Sequence, residues 1–335
     1  MTERVWVVLA VGTALAAFPH VSAAEVYRWV DAHGAVTYSD RPQPPSEVVA
    51  PAPEPVSVRK ATPAAPPVEP ARTGPATVEE LLELSGLKAQ LAGIASRLAG
   101  QLQPTQGQMS LKDQTAVDRI LARAVSHDKI YALVRDELRR DVDRVRLEAT
   151  VAWLRSPVAR KIAALEVASS EPATEQKIGV YAAGLKANPP PAPRVELLQK
   201  LDWISGAAET SADIVAAVTR SVSKAVSATS PPAQSLRPGQ IESRAEEIRT
   251  RVSESIRQAQ LVSMLYTYQS LEDAELAEYV RFSASDAGRW YNARMHKALV
   301  SAVGGVVERA TAELVRAVPP ERWTRAPEST PSKAQ

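Results

Sequence analysis

VDRVRLEATVAWLRSPVARK, Val142–Lys161, and LEDAELAEYVRFSASDAGR, Leu271–Arg289, are the stretches that decide the fold class. At an offset of 129 residues, Val142, Leu147, Val151, Trp153, Ser156 and Arg160 fall opposite Leu271, Leu276, Val280, Phe282, Ser285 and Arg289. Each stretch runs an amphipathic helix into a bulky aromatic. A Ser follows where its oxygen can cap a new helix, then an Arg in that helix's first turn. Pro157 reinforces the first restart, because proline's fixed φ suits the first helical position. A duplicated helical unit that packs against its twin is the economical explanation. Chance similarity between Ala/Arg-rich helices is the plainer one.

The flanking sequence is helical too. Thr77-x-x-Glu80 offers a capping box before LLELSGLKAQLAGIASRLAGQL, whose leucines recur at three and four residues. Ser110-x-x-Asp113 starts a helix that runs through Val125. After Ser126 the apolar stripe continues at Ile130, Leu133, Val134, Leu138, Val142 and Val145. Asn188 and the prolines that follow close a first helical half at 77–192, and a second half spans 193–317. Gly304 and Gly305 sit inside the last helix, where each costs about 1 kcal/mol relative to alanine. A close helix approach or a kink is therefore predicted there. Residues 318–335 form a polar tail expected to be disordered.

The N-terminal part reads differently. Arg4, the apolar run Val5–Phe18 and the small residues Ser22-Ala23-Ala24 have the layout of a cleavable signal peptide over 1–24. The run is shorter than the roughly 18–20 residues a membrane span needs. A retained anchor is the competing reading. Residues 25–49 form a small β module: Tyr27 and Trp29 alternate with Val26, Arg28 and Val30, and Val36 and Tyr38 alternate with Ala35 and Thr37. Asp31-Ala32-His33-Gly34 between them is turn chemistry, which predicts a β-hairpin. From Ala50 to Ala76 there are eight prolines in twenty-seven residues. Such a Pro/Ala-rich linker favours an extended tether of about 3.1 Å per residue, up to roughly 80 Å.

Two resemblances attach to these residues. Tyr27-x-Trp29-x-Asp31-x-x-Gly34 with Val36, Tyr38, Ser39 and Asp40 resembles a short envelope domain, domain-of-unknown-function family 4124. That resemblance carries no established activity. Glu80-Leu81-Leu82-Glu83-Leu84-Ser85-Gly86 and Trp153–Lys161 resemble domain-of-unknown-function family 2059, which implies a secreted helical bundle and no known chemistry. Ala159 stands where that family's phrase has Gly, and Gly288 restores it in the second stretch. Pro157 is kept in the first stretch and is Asp286 in the second.

Charge and composition remove several function classes. The chain has 40 basic and 38 acidic residues, and 193–317 carries fifteen of each. Arg and Asp/Glu interleave along the helices as a solvated surface, so no nucleic-acid partner is expected. There is no cysteine, so thiol chemistry and disulfides are excluded. No later stretch is long and apolar enough for a transmembrane segment. After the cut the histidines are His33, His127 and His296, without metal-ligand spacing. No cofactor, metal site or catalytic residue is predicted.

The side chains that remain each carry two readings. Tyr27, Trp29 and Tyr38 present a stacking surface for a carbohydrate or peptide, or form the only core a small sheet can build. Arg160 and Arg289 clamp an anionic ligand, or lock the inter-helix corner to a carboxylate. Glu275 and Glu278 share a helix face, as paired acids in glycan hydrolysis do, or fill the first turn of a helix capped by Ser270. Tyr266, Tyr268, Tyr279, Trp290 and Tyr291, with Trp203, pack as core or line a groove. The expected fold is mainly α: a helical bundle of two related halves, preceded by a small β-hairpin module on a Pro-rich linker. The expected function is a periplasmic, cell-envelope binding or scaffold protein without catalytic activity. Its partner would be an envelope component, another protein or, by self-association, a second copy. The rival functions are an envelope glycan-acting enzyme using Glu275 and Glu278, and a carrier of a small apolar ligand. Tyr27, Trp29, Tyr38, Arg160, Arg289 and Trp290 are the candidate binding residues.

Overall fold

The computed structural model describes residues 75–103, 110–233 and 235–319, with the backbone of 27–30 and 36–39. The described residues are mainly helical. Twelve helices are seen among them: α1 (Val78–Leu84), α2 (Leu87–Leu102), α3 (Leu111–Ala124), α4 (His127–Leu138), α5 (Arg144–Leu154), α6 (Pro157–Ser170), α7 (Pro172–Gly184), α8 (Ala192–Ser205), α9 (Ala207–Ser227), α10 (Pro238–Thr267), α11 (Asp273–Ala284) and α12 (Asp286–Ala317). They belong to one compact unit.

Residues 20–74 form a separate unit. There β1 (Tyr27–Val30) and β2 (Val36–Ser39) pair antiparallel, Tyr27 opposite Ser39 and Val30 opposite Val36. The turn at 31–35, the linker, the leader and the tail beyond 319 lie outside the described residues. So do the side chains of Tyr27, Trp29 and Tyr38.

Helix starts follow from short polar side chains. Thr77, Ser110, Ser126, Asp143, Ser156 and Ser285 each accept the N–H three residues on, at 3.0–3.4 Å. Each such cap is worth about 1 kcal/mol. The reciprocal half of the box expected at Thr77 is not made. Glu80 turns instead to Arg155, which donates to it at 2.7 and 2.9 Å.

Two apolar stripes that read as continuous are broken. The leucine run is split between α1 and α2 by Gly86, at φ 67°, a conformation that favours glycine. A Cβ there would also meet Val167 Cγ2 at 2.6 Å. The stripe through Val142 and Val145 is cut after Leu138, where Asp141 takes φ 51°. The new helix is rotated, and Val145 ends up 77% exposed.

The cores do not divide at residue 192. The largest joins Leu81, Leu91, Ile130 and Val151 to Val303 and Val307 of α12. A second gathers Ile162, Leu198, Leu201, Leu265 and Leu276. A third, small one lies between α9 and α10. The long helices α9, α10 and α12 carry the most extensive packing, with α9 in contact with both others. Ser221 Oγ donates to Gly304 O at 3.0 Å, so α9 and α12 do approach closely. A Cβ on Gly304 would still find ordinary contacts at 3.6 Å.

The corners at Ser156 and Ser285 share three kinds of hydrogen bond. Ser156 N donates to Trp153 O at 2.8 Å and Ser285 N to Phe282 O at 2.9 Å. Ser156 Oγ accepts from Ala159 N, and Ser285 Oγ from Gly288 N. The Arg160 guanidinium donates to Arg155 O, and the Arg289 guanidinium to Ala284 O. Trp153 and Phe282 then stack face to face, centroids 3.8 Å apart and planes within 2°.

The second corner adds a Ser285 Oγ donation to Phe282 O at 2.6 Å and an Arg289–Asp286 pair, and the corners also differ at the position three past the Ser. Ala159 is accommodated at 1% exposure, whereas a Cβ on Gly288 would lie 2.0 Å from Phe282 O. Gly288→Ala is therefore expected to cost about 1–3 kcal/mol by overpacking, and Ala159→Gly no more than about 1 kcal/mol. Urea unfolding of the two variants checks this ordering.

Candidate functional site

The most unusual chemistry in the helical body surrounds Glu166, on the face of α6 that also carries Ile162. Part of the residue remains exposed, but its carboxyl end is enclosed. Tyr268, at the end of α10, donates to Oε1 at 2.7 Å, and Tyr279 of α11 to the same oxygen at 3.2 Å. Gln90 Nε2 of α2 reaches Oε2 at 3.5 Å. Burial raises the Glu166 pKa above the ordinary carboxylate value, and the three donors only partly offset it. Burial, and then the Glu166 charge, pushes Tyr268, Tyr279 and Tyr291 upward as well. These phenols therefore stay protonated at neutral pH, and Tyr268 and Tyr279 are the ones that donate to Glu166.

The aromatic neighbours are ordered. Tyr268 meets Tyr279 edge-on at 6.1 Å, and Tyr279 stacks on Trp153 at 5.4 Å. Trp153 Nε1 is buried without a hydrogen-bond partner. Arg194 of α8 holds the chain after α10 in place, donating to Tyr268 O and Leu271 O and pairing with Asp273. These carbonyls follow a helix end, where no N–H of the helix can reach them.

The candidate residues from the sequence are dispersed around this cluster. Arg160 and Arg289 are bound by their own corners. Their shared acceptor type is a backbone carbonyl, not the expected carboxylate, although Asp286 joins for Arg289. Trp290 is half-buried and packs on the largest core. Trp203 is 84% exposed and is not core. It lies one position beyond the apolar face that buries Leu198 and Leu201.

Glu275 accepts from Lys161 Nζ at 2.6 Å and from Glu272 N at 2.9 Å. The lysine contact, opposed by burial and assisted by that N–H, lowers its pKa. The helix cap is Glu272 rather than Ser270. Two surface concavities along α10, with Arg220, Glu242, Glu247 and Arg251 in their linings, include neither Glu275 nor Glu278.

His296 does have an acid beside it, which the local spacing gave no sign of. Its Nε2 lies 3.3 Å from Asp213 Oδ2, and its Nδ1 lies 2.9 Å from Thr210 Oγ1. Arg249 takes the other oxygen of Asp213. Thr210 donates to Gly206 O at 2.8 Å, so its hydroxyl proton is not directed at the imidazole. The cluster pins α9, α10 and α12 together. Among the described residues no group of three or more acidic or histidine side chains is placed to hold a metal ion. No described helix is long and apolar enough to cross a membrane.

Comparison with known proteins bears on the N-terminal unit. Residues 13–72 match the family model described as a domain of unknown function (DUF4124). The matched span contains the Tyr27–Asp40 pattern and stops before α1. It lends nothing to the family-2059 resemblance of the helical body. No curated protein and no solved structure matches the chain.

The Glu166 cluster was hidden in the sequence because its members come from four separated segments. The available signal was an acid at i+4 from Ile162 on an apolar face, with tyrosines concentrated at 266–291. Arg194→Met should cost about 1.5–3 kcal/mol, since it takes a charged donor from Leu271 O and leaves Tyr268 O with the Leu271 N–H alone. Arg160→Met, at an exposed corner, should cost less than about 1 kcal/mol. Urea midpoints of the two variants measure the difference.

Proposed function

We propose that this is a non-enzymatic binding or scaffold protein of the cell envelope, exported to the periplasm by the leader at 1–24. In this reading the β-hairpin module at 25–49 docks to an envelope component. The Pro-rich linker at 50–76 gives it reach, and the helical body at 77–317 engages a protein partner. One observation carries the non-enzymatic part: the ionisable groups that drew attention are engaged in holding helices. Arg160, Arg289 and Arg194 bind corner carbonyls, Glu275 binds Lys161, and Asp213 binds Arg249. The family match at 13–72 supports treating the N-terminal module as a unit of its own.

The two corners, alike in hydrogen bonding and stacked through Trp153 and Phe282, are read as copies of one unit facing each other across a local twofold relation. A contact between equivalent positions is what such a relation produces.

In-cell cross-linking of the full chain tests the docking role, comparing wild type with Trp29→Ala and Tyr38→Ala. The expected result is loss of the cross-links made by the module, with those of the helical body retained. An unchanged pattern and unchanged envelope fractionation would sink the docking role.

A further inference from the structure

Helix α7 lies between two firm attachments and has few of its own. Behind it, α6 ends so close to α2 that a Cβ on Gly93 would lie 2.1 Å from Ser170 O. Ahead of it, Arg194 in the first turn of α8 ties that helix to Tyr268 O and Leu271 O. The chain between is broken on each side by a residue that precedes proline, at Glu171-Pro172 and Asn188-Pro189. Such a residue is pushed out of the α region, and Glu171 does take an extended backbone, ψ 136°. The helices on either side therefore do not run on into α7.

Of the thirteen residues of α7 only Thr174 is buried. Its hydroxyl donates to Ala168 O, on the α6 side of the break, at 2.9 Å. Glu171 gives the helix no side-chain cap. Tyr181 is the one α7 side chain packed against the second core, and it meets Tyr266 of α10 edge-on at 5.6 Å. Val180, beside it in sequence, is 72% exposed. Among the described residues, no ion pair holds Glu175 or Lys177 to the rest of the body.

Gly179 and Gly184 weaken the helix further. Neither has a positive φ, and a Cβ on either would meet nothing within 4 Å. Neither backbone nor packing requires glycine at these positions, and in a helix it is less favourable than alanine. Gly93 is the contrast, because the end of α6 leaves no room for a Cβ there.

We propose that α7 is a strap latched by Tyr181, which opens as a unit while α6, α8 and the cores stay folded. A segment with few buried contacts opens at a free energy well below that of the whole protein. Opening lifts Tyr181 from the second core and bares Tyr266, which is half-buried with the strap closed. The floor stays in place, since Leu198, Leu201, Leu265 and Leu276 are contributed by α8, α10 and α11. The inference does not depend on the compartment or partner proposed above.

Hydrogen exchange of the full chain, corrected for intrinsic rates, tests the strap. In wild type, amides of 176–184 should be protected, yet exchange at least about 100-fold faster than those of 198–205. Tyr181→Ala should speed 176–184 by about tenfold, and leave 198–205 within about twofold of wild type. Gly179→Ala combined with Gly184→Ala adds no contact and should slow 176–184 by about 5–30-fold. Equal protection of the two segments in wild type overturns the proposal, as does no protection of 176–184, since a strap must also close. A Tyr181→Ala variant that speeds both segments alike, or neither, overturns the latch. Unchanged exchange in the paired glycine variant overturns opening by loss of the helix.

Discussion

A helix that stops leaves carbonyl oxygens that its own backbone cannot reach, and this body stops its helices often and sharply. The answer is repeatedly an arginine. Arg160 and Arg289 reach back over the corners they follow, and Arg194 secures the chain leaving α10. Arg294 of α12 donates to Glu137 O in the last turn of α4 and to Arg140 O just past it. A guanidinium suits this work because it has several donors in a fixed plane and favours the negative end of the helix dipole. With those ends satisfied, short helices can pack together without exposing unpaired backbone to an apolar interior.

This explains why balanced charge accompanies so little evident chemistry. Several arginines are taken up by helix-end carbonyls, and acids are drawn to helix starts or to the remaining cations. The Glu166 cluster departs from that economy, since its acid meets only phenols and an amide. Its distinctness is electrostatic rather than spatial. No single helix of the cluster looks unusual when taken alone.

Local signals carried the helix starts well: Thr77, Ser110, Ser126, Ser156 and Ser285 all cap as their sequence context implies. Interruptions were harder to read, because Ser85-Gly86 and Asp141 break helices inside runs whose apolar spacing is unbroken. The feature that interrupts them is a backbone conformation, and periodicity does not report it. Long-range pairing was not legible. Asp213 and His296 are separated by 83 residues and Glu166 and Tyr268 by 102, so no motif spacing could bring them together. The aromatics at 266–291 were visible as a group, while the exposed Trp203 and the enclosed Tyr268 could not be told apart by composition.

Ala76, ahead of the first helix, and Val318, after the last, belong to the same apolar cluster. The earliest helices therefore wait for α12 before their interior is covered. On a ribosome the chain would present Leu81, Leu91 and Ile130 to water until α12 arrived. Sequence-distant closure of this kind slows folding and prolongs exposure of sticky surface. A holding chaperone acting on the nascent chain would meet its greatest demand just before residue 318 is delivered.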